Sequence, residues 1–238
     1  MTDLAPTALS RRSFLSRELI KLGARFEAVN GMAAPVDFGD RDAEMAAARK
    51  LALADCSALA RTGYKGPRAL HWLRGQGVAV GDEDNRAYGQ PDGALAARLA
   101  PSEAVMLGSL SGAPGLCARL DGTWSIGLRS GAYRVPRADT NCWLRIAGVE
   151  APAMFAKLCA IDLRAHKFPD GFIAQTSVAK LSAIVIRADL GGVPSFHLLA
   201  DSASAAFLWS SLIDAMAEFQ GRPVGLDALR KLAEKSGI

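Results

Sequence analysis

The sequence predicts a mixed α+β fold built as an internal duplication, and three observations carry that prediction. The first is a strand–glycine–helix unit in the second half of the chain. A strand over Cys142–Ala147 runs into Gly148 and a helix over Ala151–Leu158, and strands over Ser182–Arg187 and Ser195–Ala200 follow. The second is that an earlier stretch, Ala54–Leu110, repeats the landmarks of this one. Ala54-Asp55 answers Ala138-Asp139, Arg61 answers Arg145, Gly66-x-x-Ala69 answers Gly148-x-x-Ala151, and Pro91-Asp92-Gly93 answers Pro169-Asp170-Gly171. The spacings drift from 84 to 82 to 78 residues while the order is kept, as in a duplication whose loops have changed length. The third is size: 238 residues, 50% of them apolar, suffice for a large core shared by two intimate halves. The expected organisation is a leader over 1–53, a first repeat over 54–115 and a second repeat with C-terminal helices over 116–238. Each repeat is a β-α-β-type half, with mostly antiparallel sheets and packed helices.

Taken in order, Ser10 is positioned to cap a helix running to about Leu22 and ended by Gly23. Ala24–Val29 reads as a short strand, with Asn30-Gly31 as its turn. Asp42–Leu53, rich in Ala, Arg, Lys and Glu, reads as a solvated helix lying on a sheet. In the first repeat Cys56–Tyr64 has strand character, Arg68–Arg74 is helical, Gly81–Gln90 is a polar loop, and Ala94–Leu99 with Ala104–Leu110 forms a hairpin. Gly108–Gly115 is the natural linker, and Arg119–Tyr133 is expected to be a further hairpin turning at Asp121-Gly122. After the second repeat, Ser202 or Ser204 caps an amphipathic helix over Ala205–Phe219 whose apolar face includes Phe207, Leu208, Leu212 and Met216. A last helix begins near Leu226 and ends at Gly237.

Composition excludes several classes. The net charge of +4 is scattered among acids, with no basic block or aromatic-basic stripe, so no nucleic-acid partner is expected. No apolar run approaches the ~18 residues of a membrane helix, so no membrane association is expected. Cys56, Cys117, Cys142 and Cys159 lie far apart without a C-x-x-C, as buried free thiols of a reducing compartment do. Ser10-Arg11-Arg12-Ser13-Phe14-Leu15 matches a twin-arginine export pattern. The charged residues that follow, Arg17, Glu18, Lys21 and Arg25, leave no apolar region behind it, and a cytoplasmic location is expected.

Visible catalytic chemistry is sparse. Gly75-Gln76-Gly77 through Gly81 follows a helix and opens none, the wrong order for a dinucleotide loop. His71, His166 and His197 are each isolated, and no nucleophile elbow, phosphate loop or zinc signature is present. Asp55 and Asp139, each entering a strand, are the natural carboxylates for buried acid–base work, although such positions more often serve turns.

The second repeat and the helix after it carry a resemblance. WLRIAGVEAPAMFAKLCAIDL, FPDGFIAQTS, the Arg-bearing strand AIVIRAD, SFHLLAD and FLWSSLIDAMAEF closely resemble the γ subunit of heterotetrameric sarcosine oxidase, over roughly Ala138–Phe219. ARLAPSEAVML extends the likeness more faintly into Gly63–Leu110. That family is in turn similar to the glycine-cleavage T-protein, an aminomethyltransferase with an internally duplicated folate-binding fold. The leader looks T-protein-like at Leu22-Gly23-Ala24-Arg25-Phe26, Asp37-Phe38-Gly39, Glu44 and Leu53-Ala54-Asp55-Cys56-Ser57, and the C-terminal Gly225-Leu226-Asp227-Ala228-Leu229-Arg230 does too.

Departures from the T-protein pattern separate the two relatives. Where T-proteins carry G-G-I-x-D-D, this chain has Asp92-Gly93-Ala94-Leu95-Ala96-Ala97, and alanine can neither exchange a proton nor stabilise a developing cation. Arg187 survives, but Asp189-Leu190-Gly191-Gly192 replaces the T-G-E-x-G segment. Of the K-G-C-Y-x-G-Q motif of the folate-binding iron–sulfur maturation factor, only Tyr88-Gly89-Gln90 is matched. The resemblance implies an accessory subunit of an N-methyl-amine-oxidising complex in one-carbon metabolism, with no catalytic residue of its own. FAD, FMN and NAD are then expected on the partner subunits. The competing expectation is a stand-alone tetrahydrofolate-dependent aminomethyltransferase or demethylase, whose folate would meet Asp55, Tyr64, Tyr88, Gln175 and Arg187. No metal site is expected.

Overall fold

The computed structural model describes residues 4–126 and 131–234. Three sheets and seven α-helices are present among these residues. The leader holds β1 (Arg11–Arg12), α1 (Ser16–Lys21), β2 (Arg25–Val29), β3 (Met32–Asp37) and α2 (Arg41–Lys50). Next come β4 (Ala52–Asp55), β5 (Arg61–Lys65), α3 (Ala69–Gly75), β6 (Arg86–Gly89), β7 (Leu95–Ala100), β8 (Glu103–Leu107) and α4 (Gly115–Thr123). The remainder is β9 (Tyr133–Pro136), β10 (Asn141–Ala147), α5 (Ala151–Phe155), β11 (Ile173–Val178), β12 (Leu181–Arg187), β13 (Ser195–Asp201), α6 (Ala205–Ala217), β14 (Arg222–Pro223) and α7 (Leu226–Glu234).

Local chemistry explains where elements begin and end. Asn30 and Gly31 both have positive φ (51° and 72°), the backbone of a tight turn matched to strand twist, so β2 and β3 form a hairpin. The first helix starts at Ser16 rather than Ser10, because Arg11-Arg12 pairs in parallel with Met32-Ala33. Asp40 caps α2 by accepting from Ala43 N–H at 3.0 Å, with acids in the first turn and Arg49-Lys50 in the last. This helix stops at Lys50 instead of Leu53, because Ala52 and Leu53 pair with Ala147 and Ile146. It is also less solvated than expected: Glu44 is buried, accepting from the backbone N–H of Phe38 and Gly225.

Four further expectations are corrected. Cys56–Tyr64 is not one strand: the chain turns through Ser57–Ala60 between β4 and β5. Gly81–Gln90 contains β6. The hairpin expected over Arg119–Tyr133 is the helix α4, whose Leu116, Cys117 and Leu120 face the core; residues 127–130 of that stretch lie outside the described residues. Neither Ser202 nor Ser204 caps α6 through its side chain; Asp201 instead accepts from Ala203 N–H, one turn upstream. The end of the last helix beyond residue 234 lies outside the described residues.

The six-stranded sheet runs β11-β12-β13-β10-β4-β14, the five-stranded sheet β6-β7-β8-β5-β9, and the leader sheet β1-β3-β2. All pairs are antiparallel except β1 with β3 and β14 with β4. Side-chain alternation then divides the core into three layers. Cys142, Leu144 and Ile146 of β10 face one way, into a cluster with α5 and α6. Trp143 and Ala147 face the other way, into a cluster shared with Ala97, Leu99, Val105 and Leu107 of the five-stranded sheet. Tyr64, Ala96, Ala104 and Met106 face away from that interface, toward α3 and α4. The two large sheets therefore pack face to face between outer helices.

Among the described residues, hydrogen bonds join the sheets. Ala87 N–H donates to Gly171 O at 2.8 Å and Ile173 N–H to Asn85 O at 3.0 Å, stitching β6 to the start of β11. The buried Arg61 guanidinium donates to five carbonyls: Ser57 and Leu59 on its own side, and Arg137, Ala138 and Asn141 on the approach to β10. No helix among the described residues is long and apolar enough to cross a membrane.

Candidate functional site

The five residues expected to meet folate are dispersed rather than gathered. Asp55 ends β4 and is almost fully buried; it accepts from Ser13 Oγ–H and, at 2.9 Å, from Ser57 N–H. Burial pushes its carboxyl above the usual range, against hydrogen bonds from Ser13 and Ser57 and the nearby Arg61 charge. The turn role weighed for this residue is the one its geometry displays, whereas Asp139 is exposed and pairs with Arg11 at 2.8 Å. Tyr64 faces the layer beneath α3 and α4, its ring 4.8 Å from Trp72 and its hydroxyl donating to Asp121 at 2.8 Å. Burial, with the Asp121 bond, raises its pKa. Tyr88 lies on β6, half-buried, its hydroxyl 3.4 Å from Glu83 O.

Gln175 and Arg187 do line cavities, but different ones. Arg187 closes β12, where its guanidinium grips Asp189 through two bonds of 2.8 and 2.9 Å and donates to Phe168 O. The Asp189 bond is the main cause of its raised pKa. It borders a cavity of about 780 Å³ walled by Pro152, Ala153, Ala156, Ile161, Leu163 and Pro194, a mostly apolar lining. Gln175 borders a polar groove of about 820 Å³ at the other end of β11 and β12.

In the Asp92–Ala97 stretch, the two alanines that the sequence resemblance set against an acidic pair are closed off. Ala96 and Ala97 are both 0% exposed, Ala96 under the outer helices and Ala97 in the layer between the sheets, with Trp143, Ile186 and Leu199. The layer also holds a buried polar cluster that the sequence left as an isolated histidine. Trp143 Nε1–H donates to His197 Nδ1 at 3.0 Å, and Arg145, directly opposite His197 in the sheet, donates to Ser195 Oγ and Ala188 O. Burial, then the Arg145 charge, holds His197 well below its ordinary value and therefore neutral, while burial lowers Arg145 to about 10. The spacing of Arg145 and His197 on strands of opposite direction was a usable signal only once the β10–β13 register was known. Among the described residues, no group of His, Cys, Asp and Glu is arranged to hold a metal.

The arrangement is that of an α+β chain of T-protein-like fold, in which two large sheets pack face to face and a third, three-stranded sheet is formed by the leader. Among solved structures it is similar to the glycine cleavage system aminomethyltransferase T from Bartonella henselae, with a TM-score of 0.73 and 19% identity over 96% of this chain. The match takes in 63% of that enzyme, so this chain spans less than two thirds of its length. It is also similar to a chain of the heterotetrameric sarcosine oxidase from Corynebacterium sp. U-96, with a TM-score of 0.61 and 21% identity, over 75% of this chain and 92% of that one. No protein-family model and no curated protein matches the sequence.

Proposed function

We propose that this chain is an accessory, γ-type subunit of a heterotetrameric sarcosine-oxidase-like complex that oxidises an N-methyl amine. The observation that carries the reading is the extent of the second structural likeness. It takes in nearly the whole of one sarcosine oxidase chain, and that chain is shorter than this one. The apolar packing around Ala96 and Ala97 supports it, because a proton-exchanging group is missing where aminomethyl transfer would use one. On this reading FAD, FMN and NAD belong to partner subunits, the complex is cytoplasmic, and this chain contributes surface rather than catalysis. The fold is then a duplication: β6-β7-β8-β5-β9 and β11-β12-β13-β10-β4 share one order, each with a strand–glycine–helix unit at Gly66 or Gly148. Pro91-Asp92-Gly93 lies between β6 and β7 while Pro169-Asp170-Gly171 precedes β11, so that pair of landmarks occupies different places in the two halves.

The alternative, a stand-alone tetrahydrofolate-dependent aminomethyltransferase with a remodelled pocket, is favoured by the first likeness, which takes in 96% of this chain. Purification of the tagged chain from its native cells, with subunit stoichiometry and a visible spectrum, separates the two. A stoichiometric complex with flavin absorption is expected. A colourless lone chain that binds tetrahydrofolate, and loses it in Arg187→Ala, would overturn the subunit reading.

A further inference from the structure

We infer that the outward face of α1 docks an acidic, apolar-centred surface of a partner subunit. Helix α1 spends one stripe on the core and leaves the opposite one open. Leu15 and Leu19, one turn apart, are 1% and 0% exposed and pack in the layer with α6. The far side of the helix carries Arg17, Ile20 and Lys21. Ile20 and Lys21 follow Arg17 by three and four residues, which sets them about 5–6 Å from it between Cβ atoms. Ile20 is 48% exposed, as is Leu22 at the helix end, and Phe14 just before the helix is 37% exposed. Single apolar side chains on a surface are ordinary; three in so short a stretch, around a cation, form a patch.

The charge of the molecule is concentrated in the same segment. Five of the chain's 28 Lys and Arg, but one of its 24 Asp and Glu, lie in residues 4–25, a net +4 that equals the charge of the whole chain. Arg11 is spent on Asp139, Arg25 on Asp37 and Lys21 on Glu18. Arg17 is exposed and, among the described residues, no acid or acceptor is paired with it; Arg12 on β1 is in the same state.

That charge selects the occupant. A second copy would set these cations against themselves across a twofold axis, like charge on like charge. A bilayer takes a helix by its apolar stripe, and here that stripe is buried in the chain's own core, on a helix of only six residues. What fits is a folded surface with carboxylates set around an apolar recess. Ile20 fills the recess, and Arg17 offers the carboxylates a planar fork of five N–H groups. An Arg beside apolar anchors is the composition of an interface centre rather than of its rim. This inference rests on the subunit reading above, and adds to it which face meets the flavin-bearing subunits and with which sign of charge.

The test uses the complex purified through the tagged full chain, with Arg17→Glu and Ile20→Ser as variants. Phe207→Ser, on an exposed residue of α6, is the control. Each change falls on an exposed side chain, so the urea midpoint of the isolated chain should stay at the wild-type value. The amount of identified flavin-bearing subunit per tagged chain should drop about tenfold or more in Arg17→Glu and in Ile20→Ser, and stay unchanged in Phe207→Ser. The wild-type complex should also loosen as NaCl rises from about 0.1 to about 0.5 M. Should Ile20→Ser fold poorly, Arg17→Glu carries the test. A wild-type complex of full stoichiometry that Arg17→Glu leaves intact would overturn the inference and keep the subunit reading. A wild-type chain that brings down no flavin-bearing subunit would overturn both. Self-association in sedimentation velocity, or binding to phosphatidylglycerol vesicles, that Arg17→Glu abolishes would give the face to another occupant and overturn the inference too.

Discussion

At the scale of single residues, two buried polar groups govern stability. His197 is neutral in the fold because burial and the Arg145 charge disfavour its cation, whereas in the unfolded chain it titrates near 6.5. With the folded value depressed, the unfolded state alone gains a proton as pH falls through 6.5, so stability is lost below that point. Unfolding free energies from urea titrations should therefore fall from pH 7 to pH 5, by up to ~1.4 kcal/mol per pH unit, and His197→Gln should flatten that slope. Arg61 is the opposite case, a buried cation whose charge is spread over five carbonyls. Arg61→Ala leaves those oxygens without their donor and should lower unfolding free energy by ~3 kcal/mol or more, measured by chemical denaturation. Neither role was legible from the sequence. The partners of His197 and Arg61 lie 54 and up to 80 residues away, and only strand register brings them together.

At the scale of elements, glycines fix how strands hand over to helices. Gly148 has φ 128°, and a Cβ there would lie 2.2 Å from Lys50 O; Gly66, at φ 134°, would meet Gly131 O at 2.3 Å. Both the backbone conformation and the lack of space exclude a side chain. Gly148→Ala should cost several kcal/mol, about 3 or more, and shift the thermal midpoint down by ten degrees or more. These glycines were legible because Gly-x-x-Ala is local, and so was the Asn30-Gly31 turn. The helix over Gly115–Thr123 was not, because Asp121-Gly122 has the composition of a turn. Tertiary context settles it: Leu116, Cys117 and Leu120 are buried, and Asp121 accepts from the hydroxyls of Thr62 and Tyr64. The overrun of the second helix to Leu53 has the same origin, since pairing with β10 outweighs the helical preference of Leu and Ala.

At the scale of the molecule, the question is whether the space between the two sheets is a pocket or a core. Ala97 sits among Trp143, Ile186 and Leu199 at 0% exposure, the packing of a core. Ala97→Asp should therefore destabilise the chain by about 3–5 kcal/mol, and tetrahydrofolate should not offset the loss; an open pocket would accept the carboxylate with little change in thermal midpoint. The sheet-rich α+β class was legible because alternation and turn signals are short-range. The dispersal of Asp55, Tyr64, Tyr88, Gln175 and Arg187 was not, because it depends on which face of which sheet each side chain takes. The cysteines turn this layering into a built-in assay. Cys142 and Cys159 belong to the layer under the long helix, Cys56 to the layer between sheets, and Cys117 to the layer beneath α3 and α4. Burial raises Cys56 and Cys117 to about 12 and Cys142 to about 11, so those folded thiols are nearly inert to alkylating reagents. Pulse alkylation during unfolding, read by mass at each site, would time the opening of every layer without a single engineered probe.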